Sequence, residues 1–308
     1  MTVLRSNYSG VLDAGHKAYQ DRFFDVLNSQ PMLFPALFHV RGSTKGDETS
    51  LRLTDVAYIP KRDNEMGAIE EREYVEDGTV TFTHNEYVAK FIASAATWSD
   101  LPDDMKSAYP DLYAISARAT MDNTAFGVLR DAFTGSTYTG PDNLSLCNDA
   151  HTLKSGDTAD NKTTAALAIS AINAARAAMQ RFKTSKGRVQ INQMARYLVV
   201  PPEKEADAKT FVGSTYYGDY STQESDFNFA NRVGLEVIVV PYLSDVNDWF
   251  LAIDPAATMH GLVFYRREDP MFDSGYNGED KYYWGNTSMR FSVGFDNWRQ
   301  IYGSSASA

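Results

Sequence analysis

Cysteine is nearly absent from this 308-residue chain. Cys147 is alone, so no intrachain disulfide can form, and the usage fits a reducing compartment. No apolar run approaches the roughly 20 residues that span a bilayer, and Met1 to Gly10 lacks a basic stretch followed by an apolar one. These absences point to a cytosolic product. The phosphate-cradling loop G-x-x-x-x-G-K-[ST], a G-x-G-x-x-G turn and the G-x-S-x-G elbow are all missing. The five histidines (His16, His39, His84, His151, His260) do not pair at metal-ligand spacing. No cofactor or metal is therefore expected. Net charge is −11, and an acidic chain is a poor general partner for phosphates. One stretch runs against that total. Asn161 to Pro202 holds no Asp or Glu, while Lys162, Arg176, Arg181, Lys183, Lys186, Arg188 and Arg196 are basic. They read either as cations gathering toward a helix C-terminus or as a basic face for a neighbour or for enclosed nucleic acid.

What is present is aromatic and mixed in pattern. With 18 Tyr and 17 Phe, the chain can fill cores and contact surfaces alike. Residues 1–40 read as an arm with a short helix, Tyr19, Phe23, Phe24 and Leu27 on one face, then an extended path through Pro31 and Pro35. Residues 41–78 carry six basic and ten acidic side chains and little apolar content. Leu51, Leu53 and 55–58 suggest one strand, and 73–75 its partner, so the segment forms a long charged hairpin that cannot hold itself up as an isolated element. It is a surface loop or an arm laid on another subunit.

Alternation at Val80, Phe82, Tyr87, Ala89, Phe91 and Ala93 predicts a half-buried strand. From Pro110, a residue tolerated near a helix start, Leu112, Ile115, Ala119, Phe126, Leu129 and Phe133 step along one helical face. A second helix carries Ala165, Ile169, Ile172, Ala175, Met179 and Phe182, and a third spans 203–212. Strands are predicted at 197–200, 235–240 (buried on both faces), 249–253, 261–265, 282–284, 289–293 and 298–302, with 267–280 an acidic loop. The fold class is α+β.

Chemistry is scarce. Cys147 and His151 lie four apart and could in principle form a nucleophile and base, which would make a cytosolic α+β hydrolase, but no orienting group or oxyanion site accompanies them. Carboxylate pairs such as Asp103/Asp104, Glu70/Glu71 and Glu279/Asp280 sit in cap or loop settings. No enzyme is expected.

Certain phrases are familiar in their order. They are Leu144-Ser145-Leu146-Cys147-Asn148-Asp149-Ala150-His151, the helix of 164–182, Arg196-Tyr197-Leu198-Val199-Val200-Pro201-Pro202-Glu203, Val237-Ile238-Val239-Val240-Pro241-Tyr242-Leu243, Asp248-Trp249-Phe250-Leu251 and Arg290-Phe291-Ser292-Val293-Gly294-Phe295-Asp296-Asn297-Trp298-Arg299. Together, over residues 80–303, they resemble the Mu-type major head subunit family of tailed-phage capsid proteins. The resemblance implies a Hong Kong 97-type fold. Its parts would be an N-terminal arm (1–40), an extended β-hairpin loop (41–79), a peripheral domain with a long spine helix and β-sheet (80–144), an axial domain of mixed sheet with flanking helices (145–266), and a return to the peripheral domain with a C-terminal tail (267–308).

It also implies a major capsid protein that self-assembles as hexamers and pentamers into an icosahedral shell around double-stranded DNA, without sequence specificity. The shell would be assembled in the bacterial host cytoplasm, without a membrane. A portal and a decoration protein are candidate partners. A separate scaffolding protein is implied because no long helical N-terminal extension is visible. Thr152 stands where many relatives have Pro, so that turn is expected to differ. An encapsulin-type compartment shares the fold and is the alternative. The subunit-contact candidates are Arg52, Lys61, Arg62, Glu70, Glu71, Arg72 and Glu73, and the basic segment is represented by Arg176, Arg181, Lys183, Lys186 and Arg188.

Overall fold

A computed structural model describes residues 6–29, 31–53, 59, 61, 76–190, 193–213, 216–218, 225–227, 231 and 233–306. The arm begins with α1 (Ser6–Asn28), longer than the short helix expected. Phe23 and Leu27 are buried as the spacing predicts, but Phe24 faces solvent. A single turn of 3-10 helix at Phe34–Ala36 replaces the expected extended path, and β1 (His39–Gly42) follows. Asp122 holds that turn: its Oδ1 accepts the N–H of Leu33 and of Phe34, both at 3.1 Å, and so satisfies donors that a helix start leaves open.

Next come β2 (Asp47–Leu53) and β3 (Glu76–Thr83), paired antiparallel as a hairpin. Leu51 and Leu53 of the expected hairpin lie in β2, the expected stretches 55–58 and 73–75 lie outside the described residues, and β3 takes in Val80 and Phe82, which had seemed part of the following strand. Only His84 separates it from β4 (Asn85–Ser94). A short α2 (Ala95–Asp100), capped by the Ser94 hydroxyl accepting from Thr97 N–H, leads to α3 (Asp103–Arg130). At about 1.5 Å per residue, 28 residues reach roughly 42 Å.

Helix α3 starts a full two turns before Pro110, which lies buried inside it. A proline there removes one helical hydrogen bond and costs about 3 kcal/mol. Tertiary packing offsets the loss, for Tyr109 stacks on Phe91 at 4.5 Å and lies 5.6 Å from Trp98. The buried side of this half is Pro110, Ala114, Ala117 and Met121, not the expected Leu112, Ile115 and Ala119, which face out.

Beyond α3 the chain makes β5 (His151–Thr152), β6 (Thr158–Ala159), β7 (Lys162–Thr163) and α4 (Ile169–Gln180). It continues through β8 (Ala195–Val200), α5 (Glu205–Gly213), β9 (Tyr216–Gly218), β10 (Ser225–Phe227), β11 (Glu236–Val239) and β12 (Trp249–Ile253). The chain ends with β13 (Leu262–Asn277), β14 (Tyr282–Phe295) and β15 (Ile301–Ser304). The expected loop 267–280 is mostly strand. Past Arg266, β13 has lost its partner β1 and is an edge, where Pro270 removes no ladder bond, and the register slips on both sides of Glu268 absorb the irregular pattern.

Two sheets result. One has the order β1-β13-β14-β4, with α1 and α3 on its inner face. Phe23 stacks on Phe272, Phe34 on Phe264, Phe264 on Phe291, and Tyr87 on Phe291. Gly285 is required on this face, since a Cβ would meet the Phe91 ring at 2.3 Å. The other sheet has the order β11-β8-β12-β15-β7. Its middle strand β12 is wholly buried, whereas β11, expected to be covered on both faces, is a half-buried edge.

Residues 267–295 stay in the first sheet, and 301–304 cross to the second. Buried amides fasten the crossing. Gln300 donates to the carbonyls of Leu37 and Ile253, and Asn161 Nδ2 donates to those of Leu146 and Ile301 while its Oδ1 accepts from Asn148 N–H. One apolar core runs through both sheets. No helix among the described residues is long and apolar enough to cross a membrane.

Candidate assembly surfaces

The root of the β2–β3 hairpin is built on one buried carboxylate. Asp296, in the turn after β14, accepts the Ser50 hydroxyl at 2.6 Å and the Gly261 N–H at 2.7 Å, with His260 Nδ1 at 2.9 Å and the Arg41 guanidinium at 3.6 Å. Burial pushes this carboxyl up, but the hydrogen bonds from His260 and Ser50 outweigh it and hold the group below the usual carboxylate range. Next to it, Arg52 Nε donates to Asp77 at 2.7 Å across the hairpin, and its other arm donates to Asn297 Oδ1 and the Asp296 carbonyl. Ser43, His84 and Ser292 form a buried chain of polar contacts at 2.8 and 3.0 Å, and Phe82 packs on Tyr265. Strand β3 therefore lies on the outer face of the first sheet.

The alternation of a strand puts Ser50 and Arg52 toward the body and Leu51 and Leu53 on the opposite face, where both are half exposed. Further along, the outer sheet face is bare. The register sets Val88 beside Ser288 and Met271, and Ile92 beside Trp284; Val88, Ile92 and Met271 are exposed, and Lys90 Nζ lies 5.8 Å above the Trp284 ring. These apolar residues left no signal in the sequence, where Val88 and Ile92 merely filled the solvent phase of an alternating strand.

Of the expected contact residues, Lys61 is exposed, and Arg62, Glu70, Glu71, Arg72 and Glu73 lie outside the described residues. Arg52 is half-buried, and its charge is engaged by Asp77 within its own subunit. Arg52→Glu is expected to destabilise the fold by about 2–4 kcal/mol, because Asp77 would be left facing a second buried anion. Thermal midpoint and assembly should fall together, as read by calorimetry and electron microscopy.

The basic segment does not form one face. Arg176 is buried on the inner side of α4 with Ile172, Ala175 and Met179. Arg181, Lys183, Lys186 and Arg188 gather at the turn after α4, where Lys183 bridges to Val189 and pairs with Asp157 at 3.5 Å. The dipole reading fits better there than a stripe along the helix.

The Cys147 and His151 pair also comes apart. Cys147 is fully buried, burial drives its thiol far up, and its Sγ sits over Gly303 so closely that a Cβ there would meet it at 2.7 Å. A thiol of that kind is no nucleophile. The buried His151 ring lies flat on Trp298 at 4.3 Å, and its Nδ1 is 2.6 Å from Asp142. Cys147→Ala is expected to leave particle yield unchanged and to cost about 1 kcal/mol of stability, measurable by denaturant unfolding. Among the described residues no cluster of acidic, His or Cys side chains could hold a metal.

Solved structures share this architecture. The capsid structure of the cyanophage P-SCSP1u aligns over 90% of this chain and 89% of its own with a TM-score of 0.60 at 12% identity. The capsid of a native GTA particle aligns over 91% and 92% with a TM-score of 0.58 at 13% identity, and Microbacterium phage Oxtober96 over 89% and 90% with 0.53 at 11%. The fold is thus the Hong Kong 97 type, an α+β fold. A family model described as phage capsid protein matches residues 88–304, and this chain belongs to that family. It is a structural subunit of the virion shell, and neither the hydrolase nor the encapsulin reading is favoured. No curated protein sequence matches it.

Proposed function

We propose that the chain is the Mu-type major head subunit of a tailed phage, assembling as hexamers and pentamers in the host cytoplasm around double-stranded DNA. In this reading the β1-β13-β14-β4 sheet with α3 as spine is the peripheral domain, the five-stranded sheet is the axial domain, and the β2–β3 hairpin is the extended loop that crosses a neighbour. The hairpin root carries the proposal: an arm pinned by Ser50 and Arg52 on one face presents Leu51 and Leu53 on the other. The bare sheet face of Val88, Ile92 and Met271 suits such an arm from the next subunit.

Rings close through heterologous contacts of this kind, each modest and many per subunit. Net acidity keeps the wall from gripping packaged DNA, which agrees with binding that ignores sequence. A separate scaffolding protein and a portal would complete assembly, with a decoration protein as a further candidate; no catalysis and no cofactor enter. Negative-stain electron microscopy of the protein co-expressed with its scaffolding protein tests the reading. Closed isometric particles are expected, and a protein that stays monomeric under those conditions refutes it.

A further inference from the structure

Helix α3 carries a second apolar face that the subunit leaves uncovered. Met105, Leu112 and Ile115 are 55%, 60% and 48% exposed, and Ala108 and Ala119 complete a run spaced 3, 4, 3 and 4. That spacing is the seam of a coiled coil, which packs one helix against another and suits neither a strand nor an irregular loop. The seam spans 15 residues, about 21 Å at 1.5 Å per residue. It points away from the body, whose side of the helix is Pro110, Ala114 and Ala117. The same stripe continues into Phe126 and Leu129, where the subunit does cover it: Phe126 packs on Phe38 and stacks on Tyr242. One apolar stripe is therefore packed along its C-terminal half and open along its N-terminal half.

We infer that this open half pairs, antiparallel, with the same half of α3 in a second copy, as a two-fold contact between subunits of the shell. The inference rests on the shell reading above. Three observations select this occupant. Among the described side chains, α3 is the one helix with more than a single exposed large apolar residue, so the matching seam among them is its own. The exposed carboxylates Asp100, Asp103 and Asp104 crowd one end, with Lys106 paired to Asp103, while Ser116, Arg118, Thr120 and Asn123 flank the other. Parallel pairing would bring the two acidic ends together, and antiparallel pairing sets each against polar groups and the Arg118 cation. Finally, the seam buries on the order of a few hundred Å² per copy, well short of the roughly 800 Å² per partner of a stable dimer. A contact of that size holds only when many neighbours hold the subunit in place.

Leu112 is the midpoint of the seam and lies at the two-fold, so it meets its own copy, and Met105 meets Ala119. The native thiol is buried and silent, which allows single-cysteine variants to report. In purified particles, a short bis-maleimide should join Leu112→Cys subunits into dimers. Met105→Cys should not join to itself, but should do so in particles mixed with Ala119→Cys subunits. Leu112→Glu, at an exposed site, should keep its thermal midpoint and lose at least about tenfold in particle yield, since a charge buried in a dry seam is unpaired. Absence of the Leu112→Cys dimer, or its cross-linking to a different polypeptide such as a scaffolding helix, overturns the inference, as does normal assembly of Leu112→Glu. Failure of the unmodified chain to form particles instead refutes the shell reading.

Discussion

Asp296→Ala should lower stability by about 3–5 kcal/mol, the usual cost of stripping one partner from a buried, multiply bonded charge. The carboxylate is 1% exposed and serves four groups at once, from Ser50 in the hairpin, from Gly261 and His260 ahead of β13, and from Arg41 at the end of β1. Its loss would free the hairpin root and leave the Gly261 N–H unsatisfied in the interior. The pH dependence has a definite sign. The folded-state pKa is depressed, so the carboxylate's contribution is complete above the unfolded value of ~3.9 and disappears as pH falls through the lower folded value. The gap in unfolding free energy between the native chain and Asp296→Ala should be constant from pH 5 to 7 and narrow below about pH 4. A gap that widens in acid would show that the hydrogen bonds do not favour the ionised form. Asp296→Asn should restore part of the loss, because an amide oxygen still accepts from Ser50 and Gly261.

Removing residues 61–71 should have the larger effect on assembly and almost none on folding. The hairpin is tied to the body between Ser43 and Leu53 on one strand and Glu76 and Thr83 on the other, and every polar contact described above lies in that root. The deleted residues lie beyond it in the chain, so the thermal midpoint should move by less than about 0.5 kcal/mol of stability. Particle yield should fall below detection, because a contact repeated in every subunit is lost from all of them together. Normal particles from this variant would remove the arm role. A collapsed thermal midpoint would mean that the segment supports its own subunit. The contrast with Asp296→Ala is deliberate: that variant weakens the subunit from its root, and this one leaves the subunit sound and without its reach.

Much of the architecture was legible in the order of residues. The strands at 197–200 and 249–253, the helices ending near Phe182 and beginning near Pro202, and the charged hairpin all announce themselves through local periodicity and turn chemistry, which act within a few residues. The errors share a cause. Helix α3 passes through Pro110 because Tyr109 is held by Phe91 and Trp98, partners that no local rule supplies. Segment 267–277 is strand despite its acidity and its proline because β14 offers it a partner while its other edge is open.

The faces were harder than the elements. Leu112 and Ile115 have the right spacing for a core stripe, and Phe126 and Leu129 continue it, yet only the second pair is covered by its own subunit. Arg52 and Arg176 read as surface cations, yet Arg176 is buried and half-buried Arg52 is tied to its own subunit. Periodicity states that a residue shares a side with others; it does not state what stands opposite. The chain alone carried the α+β class of the fold and the paired strands at the root of the hairpin, since these follow from local pattern and composition. Which side chains meet each other, and which are left for a neighbouring subunit, was settled by contacts such as Asp296 with Ser50, residues 246 positions apart in the chain. Close packing decides such long-range pairings collectively, and no window along the sequence contains them.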